Sequence, residues 1–316
     1  MLNIIRKIHI VSLCMMAFLL FGKNANAQYY YYYDNYFYSP IVYELGANIG
    51  AMNSFTDIGG KKGFGGKFVK DLNMGNTEFA AGVHFGALYK NTVGLRLEAN
   101  FGRVSAFDSV LSNVPLNDIS RARYNRNLSF RSNIIEIAIL AELHPLLAFK
   151  DRSSDEAGGP PRLSPYVIAG VGFFNFNPQA NLNNRWINLQ PLSTEGQGFP
   201  EYPSRQKYKV NAMSFPVGFG VKYDLSAMFN MRAEFLYRPT NTDYLDDVSK
   251  TYIDEQAFYN NLSGANLINA LALHDRQRGE YLPQSDPGKK RGNTKDNDQF
   301  FSFNIKVALL LARKRD

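Results

Sequence analysis

Three histidines, a run of aspartates and a scatter of charges on alternating segments are the residues with which this chain could do chemistry. His84, His144 and His274 follow the first 27 residues, and imidazole is the side chain best suited to acid–base work near neutral pH. His84, in "FAAGVHFGALYK", falls on the polar side of an alternation and reads as a buried polar residue rather than a general base. His144 stands at a strand end and His274 in a long loop. Neither has a serine or acid partner at an informative spacing, although triad members need not be close in sequence. "TDYLDDVS" sets Asp243, Asp246 and Asp247 just beyond a strand, where carboxylates could offer calcium its hard oxygen ligands. Their spacing matches no dedicated calcium loop, so the segment reads as a solvated loop. There is no P-loop, zinc spacing or dinucleotide fingerprint. The sequence therefore predicts no catalytic, cofactor-binding or metal-ligating residues.

The remaining charges share one property. In "VGLRLEANFG", Val93, Leu95, Leu97, Ala99 and Phe101 alternate with Arg96, Glu98 and Asn100, the two-residue period of a strand with two different faces. Further segments repeat it: "YELGANIGAM", "FAAGVHFGALYK", "IIEIAILAEL", "PYVIAGVGFFNF", "FPVGFGVKY", "MRAEFLYR" and "FSFNIKVALLL". Across them one face is apolar and the other combines glycine with acids (Glu44, Glu98, Glu136, Glu142, Glu234) and bases (Lys90, Arg96, Lys222, Arg232, Arg238, Lys306). A soluble sandwich would pair its apolar faces and solvate the other. In a membrane barrel the apolar face meets lipid and the second face lines the interior. Nearly equal numbers of each sign suit a narrow lumen in which buried charges must be paired. Arg96, Glu98, Glu136, Arg232 and Glu234 are predicted to form those lumen ion pairs. An eight-stranded barrel is just wide enough for side chains to fill, and an even strand number returns both chain ends to one side.

The connections support an all-β, eight-stranded antiparallel transmembrane barrel with long external loops. Only Asn91 and Thr92 separate the second and third strands, and the sixth and seventh are also tightly joined. The segments near 53–78, 104–133, 178–209 and 239–299 are long and polar. The connection from His144 to Leu163, with "DRSSDEAGGPP", reads as a flexible periplasmic excursion. The last loop contains "YIDEQAFYNNLSGANLINALALHD", compatible with a short helix, and a disordered-looking "DPGKKRGNTKDNDQ".

At the N-terminus Arg6 and Lys7 precede an apolar run from Ile8 to Phe21 and then "GKNANA", so residues 1–27 read as a signal peptide and Gln28 as the first exported residue. The run is shorter than the ~18–20 residues a spanning helix needs. Leu13 before Cys14 argues against lipidation, and the single cysteine leaves with the signal peptide. The formal charge of +7 becomes 7 − 3 = +4 once Arg6, Lys7 and Lys23 are removed. No basic block suggests nucleic acid as a partner. With 24 Phe and 19 Tyr the chain is rich in aromatics, yet its mean hydropathy of −0.28 and the lack of a later spanning run exclude a helical membrane protein. Residues 28–40 form a tyrosine-rich leader, 41–312 the barrel and 313–316 a basic tail. The run "QYYYYYDNYFYSP" is compatible with stacking on a partner, with lying at the membrane interface and with a low-complexity leader.

"YELGANIGAMNSFTDIGG", "SPYVIAGVGFFNFNP", "FPVGFGVKY" and "TDYLDDVS", in that order, resemble the PorG-like outer-membrane β-barrel proteins of the type IX secretion system, from about Tyr43 to Leu311. The resemblance implies residence in the outer membrane and association with the periplasmic ring, including its lipoprotein, of that secretion and gliding machinery. It implies no cofactor and no catalytic residue. The alternative is a general outer-membrane barrel, a narrow pore or a surface-binding protein unrelated to secretion. Partners are thus expected to be periplasmic ring proteins and outer-membrane lipid, with contacts from Tyr29–Tyr38, Asp151–Pro161 and Arg313–Arg315.

Overall fold

The computed structural model describes residues 40–60, 74–113, 115, 117–118, 120–148, 162–226, 228–277 and 286–311. The signal peptide, residues 28–39 of the leader, the 151–161 excursion and the basic tail lie outside them. In chain order the strands are β1 (Ile41–Phe55), β2 (Glu78–Tyr89), β3 (Val93–Phe107), β4 (Ser129–Leu143), β5 (Leu163–Leu182), β6 (Arg185–Asn188), β7 (Asn211–Ser214), β8 (Val217–Asp224), β9 (Phe229–Pro239) and β10 (Gln299–Leu310). Every pairing is antiparallel. Following neighbours from β1 through β2, β3, β4, β5, β8, β9 and β10 returns to β1, so the sheet closes.

Two elements modify this ring. β7 and β8 are one barrel strand, not the single uninterrupted run the alternation suggests. Gly172 pairs with Ser214 and Ala169 with Val217, an unbroken register, but Pro216 has no N–H to give the ladder. The short β6 folds back on β5 beyond the barrel, through a turn with Asn183 and Asn184 at positive φ. The β2–β3 turn likewise carries positive φ, at Lys90 and Asn91, the geometry that matches hairpin twist. The sequence placed this turn at Asn91 and Thr92, one residue later.

Alternation sets the faces. Leu97 is 51% exposed and Ile49 62%, while Arg96, Glu98 and Asn48 on the opposite face are buried. Leu45, Val83, Phe85, Leu95, Phe101, Ile135, Ile137, Val171, Phe173, Phe219 and Val307 continue the exposed apolar belt around the ring. A closed barrel of this kind satisfies every spanning backbone group internally and offers its apolar belt to lipid. Among the described residues no helix is long and apolar enough to cross a membrane. The chain is an outer-membrane β-barrel protein.

Strands of 15 residues, such as β3 and β4, exceed the ~9–11 needed to cross the bilayer, so the wall continues past the membrane on the side of the long connections. There the connections are not the solvated, disordered-looking loops expected from their composition. They pack into a cap with α1 (Arg121–Arg126), α3 (Glu255–Asn261) and α4 (Gly264–His274); the four-residue α2 (Pro145–Ala148) lies at the opposite end. The last loop thus holds two helices, with Asp254 capping α3 by accepting the Gln256 N–H at 2.9 Å. Ala257, Phe258, Ala270 and Leu273 from these helices pack with Leu189, Leu192, Phe199 and Ile253.

Candidate functional site

The lumen is filled in layers, and alternation along β1, β3, β4, β9 and β10 supplies each of them. Nearest the short turns, Arg232 lies between two carboxylates. Its Nη1 donates to Glu142 at 2.7 and 2.8 Å, and its Nη2 to Glu44 at 2.7 Å on each oxygen. Asn230 Nδ2 adds a bond to Glu44 at 3.2 Å. One layer up, Arg96 pairs with Glu234, reaches Glu98 at 3.2 Å and approaches Glu142 at 3.5 Å. Lys306 Nζ is 2.6 Å from Glu98 and 2.8 Å from Glu234, and Tyr166 Oη donates to Glu234 at 2.8 Å. Asn100 bridges upward from Glu98 at 3.0 Å toward Glu136 at 3.5 Å. Glu136 in turn takes Arg238 Nε at 2.8 Å and Ser214 Oγ at 2.6 Å.

Above this lies an apolar layer of Met52, Val104, Phe130, Ile134, Phe174, Phe176 and Phe300, closed by Leu245 and Val248 of the last loop. "TDYLDDVS" is therefore a stopper in the barrel mouth, not a solvated loop. Its two apolar residues complete the core, Asp246 accepts backbone N–H groups that would otherwise be buried without partners, and Asp247 takes two side-chain hydroxyls. Asp246 accepts from Ile58 at 3.1 Å and Val248 at 2.9 Å, and Asp247 from Thr194 Oγ1 at 2.5 Å and Tyr208 Oη at 2.6 Å.

Arg96, Glu98, Glu136, Arg232 and Glu234 are all buried inside the ring and fall into three groups. Arg96, Glu98 and Glu234 share one cluster. Arg232 pairs with Glu44 and Glu142, and Glu136 with Arg238. Glu44, Glu142, Arg238 and Lys306, which the alternation puts on the same inward face, complete the set. His84 is buried, its Nε2 3.9 Å from Glu44. Its ring rests on Gly46, where a Cβ would come within 2.4 Å of it, so glycine at 46 is what makes room for the imidazole.

His144 does have partners, contrary to the reading from spacing. Its Nδ1 lies 2.8 Å from Ser164 Oγ and its Nε2 2.6 Å from Glu142. A carboxylate only accepts, so Nε2 carries the proton and Nδ1 faces the serine hydroxyl. This is the arrangement of a serine nucleophile with its base and orienting acid. Yet Ser164 is 1% exposed, His144 0% and Glu142 2%, and Glu142 is also held by Arg232. A nucleophile needs room beside it for a reacting carbonyl; this one is sealed in packing, with the Tyr166 ring tilted against the imidazole at 5.1 Å.

The cap is tied together by charged side chains reaching between loops. Arg126 binds Asp108 through two bonds of 2.9 Å and the carbonyls of Asp57 and Arg291 at 2.7 Å. Arg291, read from sequence as part of a disordered stretch, is buried. It donates to Glu195 at 3.1 Å and to the Asp247 carbonyl at 2.7 Å. Burial and the neighbouring Asp57 and Asp243 charges hold Asp246 well above the usual carboxylate range. Burial and the Asp246 charge do the same for Asp298. Burial raises Asp247 to about 6 and Asp243 to about 8. His274, buried under the cap beside Arg291, is lowered to about 4. Among the described residues no group of His, Cys, Asp and Glu is placed to hold a metal ion.

No protein-family model and no curated protein matches the chain. Among solved structures it is similar to Neisserial surface protein A, at 11% identity with a TM-score of 0.35, covering 86% of this chain and 98% of that one. A major outer membrane protein from Thermus thermophilus gives 11% identity and a TM-score of 0.36, covering 86% and 100%. Ail, the attachment invasion locus protein of Yersinia pestis, in complex with the heparin analogue sucrose octasulfate, gives 9% and 0.33, covering 86% and 97%. The assignment of architecture rests on the closed strand order itself.

Proposed function

We propose that this protein is a non-enzymatic, sealed outer-membrane barrel that works as a structural component of the type IX secretion and gliding machinery, docking to its periplasmic ring. The observation that carries the sealed-scaffold reading is the filled lumen, with Arg96, Arg232 and Lys306 each bound to carboxylates and an apolar stopper above them. A conduit needs a continuous wet path, and a barrel of this size has none to spare once such side chains occupy it. The same packing speaks against catalysis by Ser164. The secretion-specific part is supported by the sequence resemblance described above, and the lipoprotein-containing ring is the partner that resemblance implies.

Such a scaffold would present its contacts on the periplasmic face, through Tyr29–Tyr38, Asp151–Pro161 and Arg313–Arg315. Deleting residues 29–38 together with 151–159 should leave a folded, heat-modifiable barrel that no longer co-purifies with periplasmic partners, and secretion should fail. Lys289–Asn297 is unsuited as an external control, because Arg291 holds the cap together. Replacing the exposed Tyr259 and Ile268 of the cap by serine is the appropriate comparison and should affect neither readout. A second reading, binding at the cell surface, is favoured by the cap being a packed unit instead of separate loops. It would replace the first if the cap substitutions abolished function while the periplasmic deletions were silent.

A further inference from the structure

One sector of the outer wall departs from the apolar belt. On β3, β4 and β5 the outward positions immediately above Phe101, Ile135 and Phe173 are polar: Arg103, Arg131, Asn133, Asn175, Asn177 and Gln179. The register aligns them. Arg103 pairs with Asn133 and Asn133 with Asn177; Arg131 pairs with Gln179, and Gln179 with Asn188 of β6. Arg131 therefore sits diagonally across from Arg103, roughly 7–8 Å away in such a ladder. On the opposite side of the ring the long-loop ends of β1, β9 and β10 are aromatic, with Phe55, Phe301, Phe235 and Tyr237 packed on one another, like the interfacial girdle of a membrane barrel. The polar sector is thus a local feature.

Its arginines are positioned and not neutralised. Arg103 Nε donates to Asn133 Oδ1 at 2.8 Å and Arg131 Nε to Gln179 Oε1 at 3.0 Å. The Arg131 guanidinium lies 3.8 Å over the Trp186 ring. Both bonds use Nε, which leaves the Nη groups able to bond a ligand, and among the described residues neither arginine forms an ion pair. Glu78, whose charge reaches Arg131, accepts from Ser105 Oγ at 2.9 Å and forms no ion pair with either arginine among the described residues. The side with long loops is the external one, so two guanidinium forks stand at the outer headgroup level with an apolar lane directly beneath. A guanidinium fork is the side chain best matched to phosphate. Asn175, Asn177, Gln179 and Asn188 form an amide row beside it, cross-linked through Asn188 and Asn211, and its remaining donors and acceptors can bond to sugar hydroxyls.

We infer that this sector binds a phosphorylated, acylated sugar lipid of the outer leaflet, with phosphate on Arg103 and Arg131, sugar along the amide row and acyl chains down the Phe101–Ile135–Phe173 lane. It rests on the outer-membrane orientation and is independent of any role in secretion. The test uses the full-length protein in neutral detergent and native mass spectrometry against four probes: diphosphoryl lipid A, dephosphorylated lipid A, phosphatidylglycerol and inorganic phosphate. Diphosphoryl lipid A should bind most tightly. Losing two charge-assisted contacts in the Arg103→Gln/Arg131→Gln variant should weaken it by about tenfold or more, whereas Lys289→Gln should not. Heat-modifiable mobility on gels reports whether each variant is folded, and the single Arg103→Gln change serves if the double variant is not. Equal binding by wild type and the folded variant would overturn the inference. So would dephosphorylated lipid A binding as well as the diphosphoryl form, or phosphatidylglycerol or free phosphate matching it, since a generic anion contact needs no sugar row.

Discussion

Replacing Arg232 with methionine tests the lumen most sharply. The side chain is fully buried and makes four hydrogen bonds of 2.7–2.8 Å to Glu44 and Glu142. Methionine fills much of the same volume and removes the charge, leaving two buried carboxylates facing each other. Glu142 retains Arg96 at 3.5 Å and the His144 contact, while among the described residues Glu44 keeps Asn230, the distant His84 and the more remote charge of Lys222. Removing one partner of a buried ion pair costs about 3–5 kcal/mol, because the surviving charge is stranded, while removing the whole set together costs far less. Arg232→Met should therefore lose about 3–5 kcal/mol in urea titrations of the barrel refolded into lipid vesicles. Adding Glu44→Gln and Glu142→Gln to it should recover most of that loss. A single variant as stable as wild type, or a triple variant no better than the single, would refute the claim that paired charges fill this space.

On the outer wall, Leu97→Arg should cost about 2–4 kcal/mol if the side chain lies near the bilayer midplane, whereas Leu97→Phe should be close to neutral; equal losses in vesicle refolding would mean the faces are misassigned. Gly220→Ala should lower stability by about 1–3 kcal/mol, since the new Cβ would meet the Tyr166 ring at 2.5 Å; a neutral result would show that Tyr166 is not held on Glu234. The cap should loosen as pH rises. Asp247 and Asp243 have folded values near 6 and 8 against an ordinary ~3.9, so the stabilisation from their bound protons is complete below about pH 4 and is lost through pH 6 and then 8. Hydrogen exchange of the 245–250 amides, corrected for intrinsic rate, should show this, and Asp247→Asn should remove the lower step; protection that rises with pH would contradict the sign.

Period-two alternation made the walls legible, because a strand with lipid on one face and a packed lumen on the other cannot hide that difference. Which inward charges meet is another matter. Arg96 and Glu234 come together only because the ring closes through β1 and β10, and neither closure nor stagger is written in any one strand. Ser164 reaches His144 across the β4–β5 connection, where spacing carries no signal. The cap is not legible in the sequence, because its composition is that of solvated loops. Its aspartates and arginines bind backbone groups of other loops, and its apolar residues, among them Leu245, Val248, Phe258 and Leu273, are scattered among polar ones with no period-two pattern. Pro216 interrupts a strand whose register is otherwise continuous, which alternation alone does not reveal.

The sealed lumen is tested most directly by planar-bilayer recording of the purified full-length protein. With Arg96, Arg232 and Lys306 bound to Glu44, Glu98, Glu142 and Glu234 beneath the Leu245–Val248 stopper, insertion should produce no stable conductance steps. Long-lived, reproducible open steps from folded wild-type protein would contradict it.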